Sequence, residues 1–155
     1  MLLEFFVNDA PISLEIKPDE ILVDLLRDRL VLTGTKVSCR EGECGTCTVW
    51  LDGIPVNSCL VPAARVQGRR IVTIEGLGNV DKPHPVQERI AQSGGSQCGF
   101  CTPGFVMTAA ALLIENPAPT REEIIEGLSG NLCRCTGYTR IVAAVESLSK
   151  IEKTR

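Results

Sequence analysis

Eight cysteines in two groups of four constrain this chain of 155 residues more than any other feature. The first group is Cys39, Cys44, Cys47 and Cys59, with the spacing C-x4-C-x2-C-x11-C. The second joins a C-x2-C pair, Cys98 and Cys101, to a distant C-x-C pair, Cys133 and Cys135. Thiolate is a soft anionic ligand suited to zinc or iron. Three thiols within nine residues can surround one small centre only where the backbone turns tightly, and Gly42 and Gly45 supply those turns.

Three chemistries compete for these thiols. Disulfides belong to oxidising compartments, but the chain opens MLLEFFVND, with an acidic Glu4, no basic n-region and no small-residue cleavage site. The expectation is a reducing, cytoplasmic setting, where dense cysteine signals metal. Zinc knuckles favour paired C-x2-C units; Cys98 and Cys101 fit, whereas the four-residue spacer after Cys39 and the C-x-C at Cys133 do not. The first group instead follows the plant-type iron–sulfur spacing. The second stays open between iron and zinc on spacing alone. A Rieske centre needs two histidines, and His84 is the sole one.

Composition removes other classes. The formal net charge of −3 and the absence of basic clusters interleaved with aromatics speak against nucleic-acid binding. The longest apolar run, 105–114, is broken by Thr108 and is far shorter than the roughly 20 residues that span a bilayer. No G-x-G-x-x-G fingerprint and no Ser/His/Asp set occurs, so no substrate-converting site is expected in this chain.

Hydrophobic periodicity predicts two halves. Residues 2–7 and 11–16 read as a β-hairpin turning at Asn8-Asp9-Ala10. A helix follows, announced by Pro18-Asp19-Glu20, with Ile21, Leu22, Leu25, Leu26 and Leu30 on one face. Strands at 48–51 and 54–57 flank Asp52-Gly53, and a last strand covers 70–74. Beyond residue 77 the pattern becomes helical: 85–92, stopped by Gly94-Gly95; a nearly all-apolar helix from Pro103 to Glu115; a third after the Thr120/Glu123 capping box; and a fourth over 138–151. An antiparallel bundle of these helices brings loops 97–103 and 131–137 to one end, where four distant thiols can share one centre. The fold class is therefore α+β.

The segments CREGECGTCTVWLDG, NSC, QCGFCTPG and GNLCRCTGY, in this order, resemble the small iron–sulfur subunit of the molybdenum hydroxylases, the family of xanthine dehydrogenase, aldehyde oxidoreductase and carbon monoxide dehydrogenase. The resemblance spans nearly the whole chain. It implies a plant-ferredoxin-like β-grasp domain at residues 1–77 and a helical-bundle domain at 78–155, each holding one 2Fe-2S cluster. It implies that Cys39, Cys44, Cys47 and Cys59 bind the cluster distal to molybdenum, and that Cys98, Cys101, Cys133 and Cys135 bind the proximal one. Gln97 and Cys135 would contact the molybdopterin of a large subunit, and FAD would lie on a medium subunit of an (αβγ)n assembly. The early fourth ligand, Cys59, departs from plant ferredoxins and is a mark of the hydroxylase family.

The implied function is an electron relay within an oxidoreductase complex; a free-standing ferredoxin and a zinc-stapled interaction module are the alternatives. Several neighbours of the cysteines carry two readings. Trp50 and Phe100 read as packing before electron conduits. Arg134 either tunes a centre by its charge or sits in a surface ion pair. Thr102 and Thr136 read as helix caps before sulfur donors. His84 and the pair Glu41 and Glu43 read as solvated.

Overall fold

The computed structural model describes residues 1–152, side chains only as far as Ser149. The expected strands are present. β1 (Leu2–Val7) and β2 (Ala10–Glu15) form an antiparallel hairpin in which Val7 faces Ala10. Asn8 and Asp9 take φ of 50° and 66°, the two positive values that a type I′ turn demands. β3 (Thr48–Leu51) and β4 (Ile54–Asn57) form the second hairpin across Asp52-Gly53. β5 (Arg70–Val72) runs parallel to β1 and antiparallel to β3, giving the order β2-β1-β5-β3-β4.

Two expectations for this half change. The strand predicted to reach residue 74 stops at Val72, because Thr73 turns to Asn8: its amide donates to Asn8 Oδ1 at 2.9 Å, and its hydroxyl accepts from Asn8 Nδ2 at 2.9 Å. Thr73 then precedes a short helix, α2 (Ile74–Leu77), that the periodicity did not predict. The helix predicted through Leu30 is α-helical only over α1 (Leu22–Asp24) and widens to a π-helix at Leu25–Arg29. Leu30 N–H reaches back to the Leu25 carbonyl, and the Arg27 guanidinium holds the carbonyls of Thr33 and Thr35 beyond the helix end. The wider turn still buries Leu22, Leu25 and Leu26 against Leu3, Phe5 and Ile71 of the sheet.

The helical half matches its expected elements closely: α3 (Pro85–Gln92), α4 (Thr102–Glu115), α5 (Arg121–Gly127) and α6 (Thr139–Glu152). Each packs on two others in a ring, α3 on α4, α4 on α5, α5 on α6 and α6 on α3. The Thr120/Glu123 capping box is formed, with Glu123 N–H donating to Thr120 Oγ1 and Thr120 N–H to the Glu123 carboxylate. No described helix is long and apolar enough to cross a membrane.

His84 is half-buried, less solvated than expected. It is the N-cap of α3: Nδ1 accepts the Val86 N–H at 3.3 Å, while Gln87 returns the bond to the His84 amide at 2.7 Å. Burial holds its pKa below the ordinary 6.5, and only the neutral ring has a free Nδ1 to accept with. The unfolded chain therefore binds the proton more tightly, so this contribution is complete above pH 6.5 and is lost as the pH falls through the lower folded value. A cap of this kind is worth about 1 kcal/mol, or roughly 2–4 °C in melting temperature for a chain of this size. Thermal melts of the holoprotein on either side of this window should show that excess loss, and His84→Asn, a pH-independent cap, should abolish it. An equal pH dependence in both proteins rules the cap out as its source.

The two halves are joined through β3. All four of its residues are buried, because the sheet is covered on both faces. Val49 and Leu51 point into the sheet's own core, whereas Trp50 enters the bundle core with Phe105, Met107 and Ile141 and donates from Nε1 to the Met107 carbonyl at 2.8 Å. The packing role expected for Trp50 is observed.

Candidate metal centres

None of the eight cysteines is joined in a disulfide. They meet two by two. In the first group Cys39 lies close enough to Cys44, and Cys47 to Cys59, for each to influence the other's acidity. In the second, Cys135 Sγ lies 3.6 Å from Cys98 Sγ, and Cys101 is near enough to Cys133 to be influenced in the same way. Among the described residues no three His, Cys, Asp or Glu side chains converge where a single ion could sit. A structural zinc site asks four ligands to share one ion. A 2Fe-2S centre instead asks each of two irons to take two cysteines. Two thiol pairs at each of two places fit the second requirement.

Cys39, Cys44 and Cys47 of the first group sit on the loop between the π-helix and β3, and Cys59 sits on a 3-10 turn just after β4. Cys47 and Cys59 form the inner side of the group, buried with Val23, while Cys39 and Cys44 form its outer side. Their acidities differ accordingly. The Glu41 amide donates to Cys39 Sγ at 3.4 Å and, with the Cys44 and Glu43 amides, draws that thiol down to about 6. Burial pushes Cys47 up to about 11. Metal binding must expel the protons from all four. Beside this loop Arg40 makes a two-pronged ion pair with Asp24, at 2.7 and 3.0 Å, which holds the Asp24 carboxyl below its ordinary range. Glu41 and Glu43 are exposed.

The second group forms where loops 97–103 and 131–137 meet. Burial pushes Cys101 up to about 12, while Cys98 and Cys135 are exposed. Cys133 is held by its neighbours: Thr136 donates to its sulfur from Oγ1 at 3.1 Å and from N at 3.4 Å, and the Cys133 amide donates to the Tyr138 hydroxyl at 3.1 Å. Thr136 thus departs from the capping role expected for it, since α6 begins three residues later. Thr102 opens α4, where its hydroxyl bonds to Ser96 at 3.0 Å. Arg134 is exposed and in no ion pair among the described residues. Gln97 is exposed beside Cys98. Phe100 and Leu132, 46% and 51% exposed, flank a recess of about 400 Å³ that Cys44 of the first group shares with all four thiols of the second.

The two centres are held together by contacts that motif spacing does not reveal. Leu132 N–H donates to the Cys44 carbonyl at 3.0 Å, the buried Asn131 amide to the Gly45 carbonyl at 3.1 Å, and the Thr46 hydroxyl to the Phe100 carbonyl at 3.1 Å. Gly104 at the start of α4 lets the backbone of Gly45 and Thr46 lie against it. The only sequence trace of this joint is the position of Asn131 and Leu132 just ahead of Cys133 in GNLC.

Comparisons with known proteins agree with both halves. The model of the 2Fe-2S iron-sulfur cluster binding domain matches residues 5–70, and that of the 2Fe-2S binding domain matches residues 73–146. The nicotinate dehydrogenase small FeS subunit of Eubacterium barkeri is 48% identical over 139 residues, covering 90% of this chain and 88% of that protein. Aldehyde oxidase 2 of Cavia porcellus is 48% identical over 153 residues, 91% of this chain, but the match spans only 12% of that protein's length. The crystal structure of the aldehyde oxidoreductase from Desulfovibrio desulfuricans superposes on 99% of this chain with a TM-score of 0.94 and 44% identity, over 17% of its own length. Two 2Fe-2S domains in this order, on a ferredoxin-like sheet followed by a helical bundle, place the chain in the iron–sulfur subunits of the molybdenum hydroxylase family.

Proposed function

We propose that this chain is the electron-transfer subunit of a molybdenum-containing hydroxylase, receiving electrons from the molybdopterin centre of a large subunit and delivering them to FAD on a medium subunit. In this reading Cys39, Cys44, Cys47 and Cys59 hold the distal 2Fe-2S cluster, and Cys98, Cys101, Cys133 and Cys135 hold the proximal one. A bound cluster supplies a one-electron couple whose potential is set by its thiolates, hydrogen bonds to sulfur and burial. The observation that carries the reading is the pairing of thiols at two places joined by the Cys44 carbonyl and the Leu132 amide.

The residues divide the work. Cys47 and Cys59 keep water from the inner side of the first centre, while the amides around Cys39 stabilise negative charge on its outer side. Asn131, Leu132 and Thr46 fix the spacing of the two centres. Cys98, Cys135 and Gln97 lie on an exposed face with Phe100 and Leu132, and an apolar rim around exposed thiols suits burial against the large subunit, where Gln97 and Cys135 would meet the pterin. The (αβγ)n assembly, the cytoplasmic setting and a division of the chain at 77/78 belong to the same proposal; α2, just before that division, already packs Ile74 and Leu77 on the bundle core.

The test is metal analysis with electron paramagnetic resonance of the reduced native complex: four irons per chain, two distinct rhombic signals, and co-purifying molybdenum and FAD are expected. A colourless zinc protein would refute the reading, and an iron–sulfur protein that purifies alone would make it a free carrier. Cys44→Ser should remove the first signal and leave the second largely intact, because the serine carbonyl still accepts the Leu132 N–H. Loss of both signals would show that the two sites do not load independently.

A further inference from the structure

We propose that Thr136 sets the electron affinity of the bundle centre, through an O–H···S hydrogen bond to Cys133; the proposal rests on the reading that Cys98, Cys101, Cys133 and Cys135 hold a 2Fe-2S cluster. The Thr136 hydroxyl lies 3.1 Å from Cys133 Sγ. Its one proton is committed to that sulfur, because its oxygen already accepts the Tyr138 N–H at 3.2 Å. Accepting one hydrogen bond polarises the hydroxyl and strengthens the one it donates. The loop is clamped from its other side as well: the Cys133 amide donates to the Tyr138 hydroxyl, and the Tyr138 ring lies 6.2 Å from that of the buried Phe105.

One-electron reduction adds one negative charge to the centre. A hydroxyl whose hydrogen already points at the sulfur favours the more negative state, and no proton leaves Thr136. Hydrogen bonds to sulfur are among the few levers a protein has on such a potential. Thr136 touches a ligand and not the reacting atoms of any substrate, so its role is tuning through Cys133.

The experiment is a potentiometric titration of the holo complex with dithionite as electron donor, followed by electron paramagnetic resonance, for wild type, Thr136→Val and Thr136→Ser. Valine keeps the shape and removes the donor; serine keeps the donor. In Thr136→Val the reduced-to-oxidised ratio of one of the two signals, at fixed potential, should fall about tenfold, a midpoint lower by about 59 mV for a one-electron couple. The other signal should stay in place, and Thr136→Ser should recover most of the shift. Unmoved midpoints at wild-type iron content overturn the proposal, as does serine behaving like valine or both centres shifting together. If Thr136→Val loads iron poorly, Thr136→Ala is titrated instead; iron loss in both with full loading in serine shows a structural role and also overturns it. A wild-type complex with only one iron–sulfur signal refutes the underlying assignment, independently of any variant.

Discussion

Replacing Gly45 with alanine is expected to empty both cysteine sites of iron and to destabilise the chain by about 3–5 kcal/mol, the sum of a left-handed residue with a Cβ and a severe overpacking. Gly45 has a φ of +66°, and a Cβ there would lie 2.3 Å from the Gly130 carbonyl oxygen and 2.6 Å from Asn131 Nδ2. Neither neighbour can yield cheaply. One is backbone, and the other is a buried amide donating to the Gly45 carbonyl itself. Relief must come from separating the loop of Cys44 and Cys47 from the loop of Cys133 and Cys135, which breaks the Leu132 to Cys44 bond as well. Gly53 is the control: its φ is +84°, but no atom lies within 4 Å of its added Cβ. Gly53→Ala should cost about 1–2 kcal/mol, the left-handed penalty alone, and leave iron content unchanged. Denaturant unfolding with iron and sulfide analysis decides the matter; equal losses in the two variants would mean that backbone conformation, not the contact between loops, is what matters at Gly45.

The second large effect is expected at Trp50. Trp50→Ala removes the side chain that β3 inserts into the bundle core, where it is only 9% exposed, and large-to-small changes of this kind cost about 3–5 kcal/mol. It also leaves the buried Met107 carbonyl without the indole N–H. The consequence is more specific than lost stability. Val49 and Leu51 flank Trp50 but belong to the sheet's own core, so the sheet can persist while its grip on the bundle is lost. Thermal unfolding should therefore change from one transition to two, with the bundle half melting first, because its core is the one that loses a member. A single transition, shifted as a whole, would show that the halves stay coupled through the cysteine loops without the tryptophan. Trp50→Phe, which keeps most of the apolar contact and loses only the N–H, should cost about 0.5–1.5 kcal/mol, the net worth of one hydrogen bond, because the Met107 carbonyl lies inside α4 and keeps its helical partner.

Much of the fold was legible because local signals agreed with it. Asn8-Asp9 and Asp52-Gly53 name their hairpins through the positive φ values that such turns require, and the Thr120/Glu123 box marks the start of α5. The places where expectation and structure part are those where a distant residue intervenes. β5 stops at Val72 because Asn8, far away in sequence, takes both polar groups of Thr73. The helix after residue 21 widens to a π-helix where Arg27 captures carbonyls beyond its end. His84 looks like a solvated residue before a helix until Nδ1 is seen to accept the Val86 N–H. Thr136 sits where a cap is expected, and only the path of the loop turns its hydroxyl to Cys133.

The order and spacing of eight cysteines, with the glycines between them, pointed to two sulfur-rich centres, hydrophobic periodicity to a sheet followed by helices, and the resemblance of four motifs to a ferredoxin-like fold, because ligand chemistry and turn geometry are written locally. How those thiols pair, which of them face water, and how the two centres are held against one another were decided only by tertiary contacts. Those contacts run from Cys44 to Leu132, from Gly45 to Asn131 and from Trp50 to Met107, across separations at which side-chain periodicity carries no information.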